Sequence, residues 1–297
     1  MVDLSICIVS YNSCNFLKDC LLSLRRQPAV PEMEVIVVDN GSQDGTIAML
    51  HSMFPEVKVI QNEKNLGYTV PMNQALRIAQ GRYLVQLNPD TLVGEGAFAA
   101  IVEYLEEHPE TGVCTLKVLN RDGTLQRQCR RSEARPWDAL SYFLGLSRVF
   151  PRSRVFGRYL LTYLDDDEIA EVEAVSGSCM IIRREVVEQI GYLDERFFAY
   201  QEDTDFCVRA RKAGWKVQYV PLGRVVHLGG HGGTRVEVYR SIIAWHRSYE
   251  LYYRKHLAHQ YWFLVNWLVY AAVYLKLGLA LLITFFKREK IAGTPKP

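Results

Sequence analysis

The segment Tyr200-Gln201-Glu202-Asp203-Thr204-Asp205-Phe206-Cys207-Val208-Arg209, followed by Ala213-Gly214-Trp215, sets three carboxylates at the head of a short helix. A helix N-terminus stabilises acidic residues through its dipole and free N–H groups, so an ordinary cap explains one of the three well and all three less well. Carboxylates gathered there could instead take a proton from a hydroxyl. A second acidic position, Asp39, closes Val35-Ile36-Val37-Val38 and opens the polar turn Asp39-Asn40-Gly41-Ser42-Gln43-Asp44-Gly45-Thr46. A carboxylate at a strand end can accept from a nucleobase N–H or a ribose hydroxyl; a turn with an N-cap is the equally ready structural account. A third, Asp90, follows Tyr83-Leu84-Val85-Gln86-Leu87 in Asn88-Pro89-Asp90, and it should project from the carboxyl edge of a strand unless the proline merely makes a turn.

The elements that must hold these groups are legible in the first hundred residues. Short β-branched runs (Leu4 to Val9, Glu34 to Val38, Val57 to Gln61, Tyr83 to Leu87) alternate with helical patterns whose apolar faces carry Phe16, Cys20, Leu21 and Leu24, then Ile47, Leu50 and Phe54. Pro71 suits the first turn of a third helix, and Phe98, Ile101, Val102 and Leu105 mark a fourth. This alternation predicts βαβ units, a mostly parallel sheet and ligands beyond the strands' carboxyl ends. From about Arg131 to Ala170 the periodicity fades into an aromatic, basic stretch, read as a variable excursion. Further strands are expected at Ser178 to Ile182, Lys216 to Val220 and Val225-Val226-His227, the last followed by the glycine-rich Gly229-Gly230-His231-Gly232-Gly233.

Composition narrows the function. A net charge of +2 and the lack of an aromatic-interleaved basic tract argue against a nucleic-acid partner. The seven cysteines are scattered without a CxxC pair, which suits a reducing compartment. No basic n-region precedes Leu4, so no signal peptide is expected and the catalytic part should stay in the cytoplasm.

Taken in order with Ile8-Val9-Ser10-Tyr11-Asn12, Asn65-Leu66-Gly67, Asn73 and Gly191-Tyr192-Leu193-Asp194-Glu195-Arg196-Phe197-Phe198, these motifs resemble glycosyltransferase family 2, rhamnosyltransferase-like branch, over residues 4–256. The resemblance implies a GT-A fold: a Rossmann-like, mostly parallel central sheet flanked by helices. It also implies an inverting, metal-dependent transfer of a sugar from a nucleotide-diphosphate donor. Asp203 is then the base, with Glu202 and Asp205 positioning the helix, the acceptor and nearby basic groups. Ser10, Tyr11, Asn12, Asp39, Asn40, Ser42, Asn65, Gly67 and Asn73 map onto the donor pocket, with Tyr11 near the nucleobase. Asp90 maps onto the metal-binding Asp-x-Asp motif, and Asn88 replaces its first Asp, leaving one carboxylate where two are usual. His227 resembles a further metal ligand, which would suit Mn²⁺ somewhat better than Mg²⁺. Arg235 could bring charge to the donor phosphates if the glycine loop closes over them, or the loop could be a plain connector. Asp165-Asp166-Asp167 also satisfies Asp-x-Asp but lacks a strand end and reads as a solvated acidic loop.

The expected organisation is a GT-A domain at 1–255, its donor half at 1–115 and its acceptor half at 116–255, with an apolar and basic helical tail at 256–297. Tyr261 to Phe286 is long enough to span a bilayer, although Asn266 and Lys276 interrupt it. A central Lys costs roughly 3 kcal/mol while each Leu, Ile, Val or Phe returns about 0.3 to 0.6, so insertion is not excluded. Basic residues flank both ends, and Trp262, Trp267, Tyr270 and Tyr274 suit an interface, which favours broken helices lying in the cytoplasmic leaflet. The other reading packs the tail on the catalytic domain or on a second subunit, as in a homo-oligomer. The implied acceptor is a lipid-linked or growing cell-envelope glycan, met at the cytoplasmic face of a bacterial membrane. The competing functions are a nucleotidyltransferase, whose usual glycine-rich phosphate loop is replaced by Ser10-Tyr11-Asn12-Ser13, and a sugar-nucleotide-binding scaffold subunit.

Overall fold

A computed structural model of the chain describes residues 2–27, 32–229 and 237–292, with side chains as far as residue 286. Arg235 and Gly230 to Gly233 lie outside the described residues. Up to Leu87 the described residues fold as their periodicity predicts: β1 (Leu4–Ser10), α1 (Cys14–Arg25), β2 (Met33–Asp39), α2 (Thr46–Met53), β3 (Lys58–Gln61), α3 (Thr69–Ile78) and β4 (Tyr83–Leu87). These strands lie in the order β3-β2-β1-β4 and pair in parallel. All seven residues of β1 are buried, as a central parallel strand covered on both faces requires. The carboxyl ends of β1, β2 and β4 carry Ser10, Asp39 and the Asn88-Pro89-Asp90 turn to one edge of the sheet.

From residue 88 onward the fold is mixed. It contains β5 (Thr91–Val93), α4 (Ala97–Glu107), β6 (Thr111–Leu119), β7 (Arg130–Arg131), α5 (Pro136–Phe143), α6 (Leu146–Val149), β8 (Ala170–Glu171), β9 (Ala174–Val175), β10 (Cys179–Arg183), α7 (Arg184–Ile190), α8 (Glu202–Lys212) and β11 (Lys216–His227). β10 inserts antiparallel between β4 and β6, while β11 runs parallel to β6 and antiparallel to β5, giving the order β3-β2-β1-β4-β10-β6-β11-β5. The two runs expected separately at Lys216 to Val220 and Val225 to His227 are one strand carrying register shifts. The aperiodic middle stretch holds the two short helices α5 and α6.

The C-terminal region corrects the expectation of broken helices. After α9 (Val238–His256), a single unbroken helix, α10, runs Phe263–Ala292. Its segment Phe263–Phe286 has a mean hydropathy of 2.0 and is long and apolar enough to cross a membrane, with only 6% of its most apolar stretch buried. The N-terminal part of α10 leans on α9. Tyr253 Oη donates to Asn266 Oδ1 at 2.6 Å, Tyr274 Oη donates to Glu250 Oε2 at 2.6 Å, and Lys276 Nζ lies 3.8 Å from the centre of the Trp245 ring and 4.7 Å from that of Phe143. Lys276 therefore interrupts the apolar sequence without interrupting the helix, because aromatic faces receive its charge.

Candidate active site

A cleft of about 510 Å³ opens at the carboxyl edge of the sheet, and Tyr11, Asn40, Asn65, Gly67, Asn88, Asp90, Glu202, Asp203 and His227 all line it. Residues from six separate motifs thus meet in one cavity. The acidic helix reaches it through a strained entry: Tyr200 and Gln201 both adopt left-handed backbone conformations, with φ of 69° and 63°. Such geometry in two successive side-chain-bearing residues persists only where the surroundings impose it. Gly67 is equally constrained. At φ of 91°, a Cβ there would stand 2.3 Å from the Phe198 carbonyl oxygen, so only glycine lets this loop meet the segment ahead of α8.

The two adjacent carboxylates have unlike surroundings. Asp203 Oδ2 accepts from Arg131 Nη2 at 2.6 Å and from the Gly177 amide at 3.0 Å, while its Oδ1 accepts from the Thr204 amide and hydroxyl at 2.6 and 3.1 Å. Glu202 is buried, and its Oε2 has no hydrogen-bond partner. Burial, reinforced by the Asp203 charge, pushes the Glu202 carboxyl up to about 8. At neutral pH Glu202 therefore holds a proton beside a salt-bridged Asp203.

Asp90 and His227 form a second cluster. His227 Nδ1 hydrogen-bonds Gln126 Oε1 at 2.8 Å, and its Nε2 lies 3.1 Å from Asp90 Oδ1 and 3.2 Å from Asn88 Nδ2. Two ligands about 2.1 Å from one octahedral ion and at right angles stand about 3 Å apart, so this pair suits a shared divalent cation. The Gln126 contact fixes the ring in the orientation that metal-ligating histidines need. No group of three or more His, Cys, Asp or Glu side chains with metal-ligand geometry occurs among the described residues, so phosphate and water oxygens would have to complete the shell.

The family 2 profile, "Glycosyl transferase family 2", matches residues 5–191. The chain belongs to this family. The glycosyltransferase is 30% identical over 245 residues to the N-acetylglucosaminyl-diphospho-decaprenol L-rhamnosyltransferase of Mycobacterium tuberculosis, covering 78% of each chain. It is 28% identical to the low-salt glycan biosynthesis hexosyltransferase Agl10 of Haloferax volcanii, covering 79% of this chain and 70% of that one. Among solved structures it resembles the Pyrobaculum calidifontis mannosyltransferase PcManGT in complex with GDP-Man and Mn²⁺, with a TM-score of 0.58, 17% identity and 99% and 76% coverage. S. aureus TarS 1-349 in complex with UDP-GlcNAc gives a TM-score of 0.58 at 19% identity, with 84% of this chain matching 65% of that one. The fold is thus GT-A, the branch is rhamnosyltransferase-like, and the enzyme is a hexosyltransferase of glycan biosynthesis that uses a nucleotide-sugar donor.

Several residues expected in the site of this glycosyltransferase lie elsewhere. Asp205 does not line the cleft; it is fully buried in ion pairs with Arg209, Lys255 and His256, at 2.9 Å from Arg209 Nε and 2.7 Å from His256 Nε2. It sits two residues beyond Asp203, so the helical turn carries its side chain to another face. Asn73 is likewise structural: its side chain bonds the Leu193 amide and carbonyl, fastening α3 to the loop ahead of α8. Ser10, Asn12, Asp39 and Ser42 do not line the cleft either. They tie its loops together, with the Asn12 amide donating to Ser42 Oγ and the Ser42 amide to Asp39 Oδ2, while the buried Asp39 Oδ1 has no partner. The acidic triplet is not a free loop: Asp166 Oδ1 accepts from the fully buried Arg130 and from Arg127, each at 2.7 Å, and Asp167 pairs with Lys117. Sequence reasoning missed Arg131, Tyr142, Tyr159, Trp245, Glu237 and Arg240, all of which line the cleft. Glu237 accepts from Tyr11 Oη at 3.0 Å, and Arg240 lies over the Phe198 ring at 4.2 Å. The density of Arg, Tyr and Trp in residues 131–159 was the available signal for the first three.

Proposed function

We propose that the enzyme transfers a sugar, rhamnose by its similarity to the mycobacterial relative, from a nucleoside-diphosphate donor to a lipid-linked or growing envelope glycan, with inversion in a single displacement. The observation that carries this reading is one cleft lined both by the Asp90–His227 pair and by the Glu202–Asp203 carboxylates. Asp203 takes the proton from the acceptor hydroxyl. Four donors already surround its carboxylate, so the hydroxyl must displace one of them. Arg131 Nη2 is the group that can give way, because the others are a backbone amide on one side and Thr204 itself on the other. Glu202, protonated, keeps a second negative charge away from Asp203 while the acceptor approaches. A divalent cation held by Asp90 and His227, Mn²⁺ being favoured by the imidazole, would neutralise the charge that develops on the departing diphosphate. Tyr11, Asn40, Asn65 and Gly67 bind the donor.

The catalytic domain spans 1–255, with a donor half at 1–115 and an acceptor half at 116–255, and 256–297 is a tail that lies on the cytoplasmic face of the membrane. The contacts at Asn266, Tyr274 and Lys276 commit the first part of α10 to the catalytic domain. Residues 277–286 add only about 15 Å of helix, half of the roughly 30 Å hydrocarbon core. The same exposed face could pair two copies of the chain, and sedimentation in detergent distinguishes this. The function is tested by thermal shift against a panel of nucleoside-diphosphate sugars with Mn²⁺ or Mg²⁺, followed by release of nucleoside diphosphate with and without a polyprenyl-diphosphate-linked acceptor. Selective stabilisation by one donor, acceptor-dependent release and an inverted anomeric centre in the product are expected. Release that never responds to any glycan acceptor refutes the proposal.

A further inference from the structure

Helix α5 is amphipathic in the wrong sense for a protein in water. It buries Asp138 and Ser141 and turns Trp137, Leu140 and Phe143 to solvent, with Leu144 beside them. The exposed side chains recur at i, i+3, i+6 and i+7, one continuous stripe of a helix. Helix α6 repeats the inversion, burying Ser147 and exposing Val149 and then Phe150. Water would oppose an apolar stripe of this extent, so something apolar must cover it.

The surrounding charge says what covers it. Residues 139–164 contain Arg148, Arg152, Arg154 and Arg158 and no Asp or Glu. Arg148, Arg152 and Arg154 are exposed. A second copy of the chain docking face to face would bring these arginines against their own equivalents, which disfavours self-association through this patch. An anionic lipid surface matches both features, apolar side chains entering the acyl boundary and guanidinium groups meeting phosphate headgroups. The patch is also continuous with α10: Phe143 lies against Trp245 at 6.3 Å, and Lys276 of α10 caps both rings. On the inner side of the same helix, Tyr142 lines the active cleft together with Tyr159 and Trp245.

We propose that the α5–α6 face of the catalytic domain is a second membrane-binding surface, which docks on an anionic bilayer and sets the Tyr142–Trp245 side of the cleft against the lipid. The inference deepens the reading of a lipid-linked acceptor and rests on it for the purpose of the docking. Full-length protein carrying a bimane label at Leu144→Cys, with a control label at the exposed Ile78→Cys on α3, is mixed with vesicles of phosphatidylcholine with or without phosphatidylglycerol. The label at position 144 should shift to the blue and be quenched by doxyl lipids in the anionic vesicles, while the label at 78 stays in water. Arg148→Glu with Arg152→Glu should weaken partition into anionic vesicles at least on the order of thirtyfold, from the loss of two lipid-facing cations. A label at 144 that stays in water while the protein floats with the vesicles overturns the proposal, since the tail alone would then make the contact. A blue shift at 144 that follows protein concentration without vesicles overturns it in favour of a second copy. Quenching at 144 in an enzyme that accepts only soluble glycans would leave this surface standing and remove the lipid-linked acceptor.

Discussion

Replacing Glu202 with glutamine should stabilise the enzyme, and by an amount that depends on pH. An unfolded glutamate titrates near 4.5, whereas burial and the neighbouring Asp203 raise the native carboxyl to about 8. Below pH 4.5 the side chain is protonated in both states and costs nothing. Between these two values only the unfolded chain gains from ionising, so the native state loses about 1.4 kcal/mol of relative stability per pH unit, roughly 3 kcal/mol by pH 7. Above about pH 8 both states are ionised and the loss levels off. A glutamine in this place is a neutral isostere that escapes the loss. Thermal or urea unfolding of both proteins from about pH 5 to about pH 9 should show a stability gap that widens up to about pH 8 and then stays flat. Transfer at pH 7 should survive in Glu202→Gln, and the decline of the unmodified enzyme above about pH 8 should be blunted. A gap that is equal at both ends of the range, or a variant less stable at high pH, would refute the assignment of the proton to Glu202.

Asp203→Asn should abolish transfer while calorimetry shows donor affinity retained; near-normal turnover would end its role as base. Asp90→Ala should remove metal-dependent donor binding in the same titration and His227→Ala should weaken it, whereas Asp165→Ala should change neither. Asp205→Ala should leave donor affinity intact but cost about 3 to 5 kcal/mol in unfolding experiments, because Arg209, Lys255 and His256 lose a shared buried partner. Asp166→Ala should likewise cost about 3 kcal/mol, since the buried Arg130 keeps only the Leu164 and Asp165 carbonyls as acceptors.

The parts of the molecule that were legible in the sequence are those governed by local rules. β1 to β4 are rich in β-branched and apolar residues, and Asp90 stands three residues beyond the last of them. β6 went unseen because it follows α4 after a short turn, and its buried residues, Thr111 to Leu116 and Val118, include two threonines and a glycine, so no continuous apolar run marks it. The partnership of Arg131 with Asp203 joins residues 72 positions apart, and no spacing rule reports it. Asp205 holds nearby basic groups as expected, but away from the cleft, because a helix distributes neighbouring carboxylates around its axis. In α10, Lys276 argued for a break only while its aromatic partners, Phe143 and Trp245, could not be placed.

The insertion of β10 between β4 and β6 has a consequence for how the protein is made. β4 is complete at residue 87, yet the strand that covers its free edge spans residues 179–183, and β5 waits for Val225 to His227. A ribosome therefore presents the four parallel strands with a bare edge for the whole time that the intervening chain is being synthesised. Chaperone dependence in the cell and aggregation of any fragment ending near residue 115 follow from that delay. The first four strands and the rest of the chain cannot be exchanged between relatives as free-standing modules, because the strand that completes one is encoded in the other.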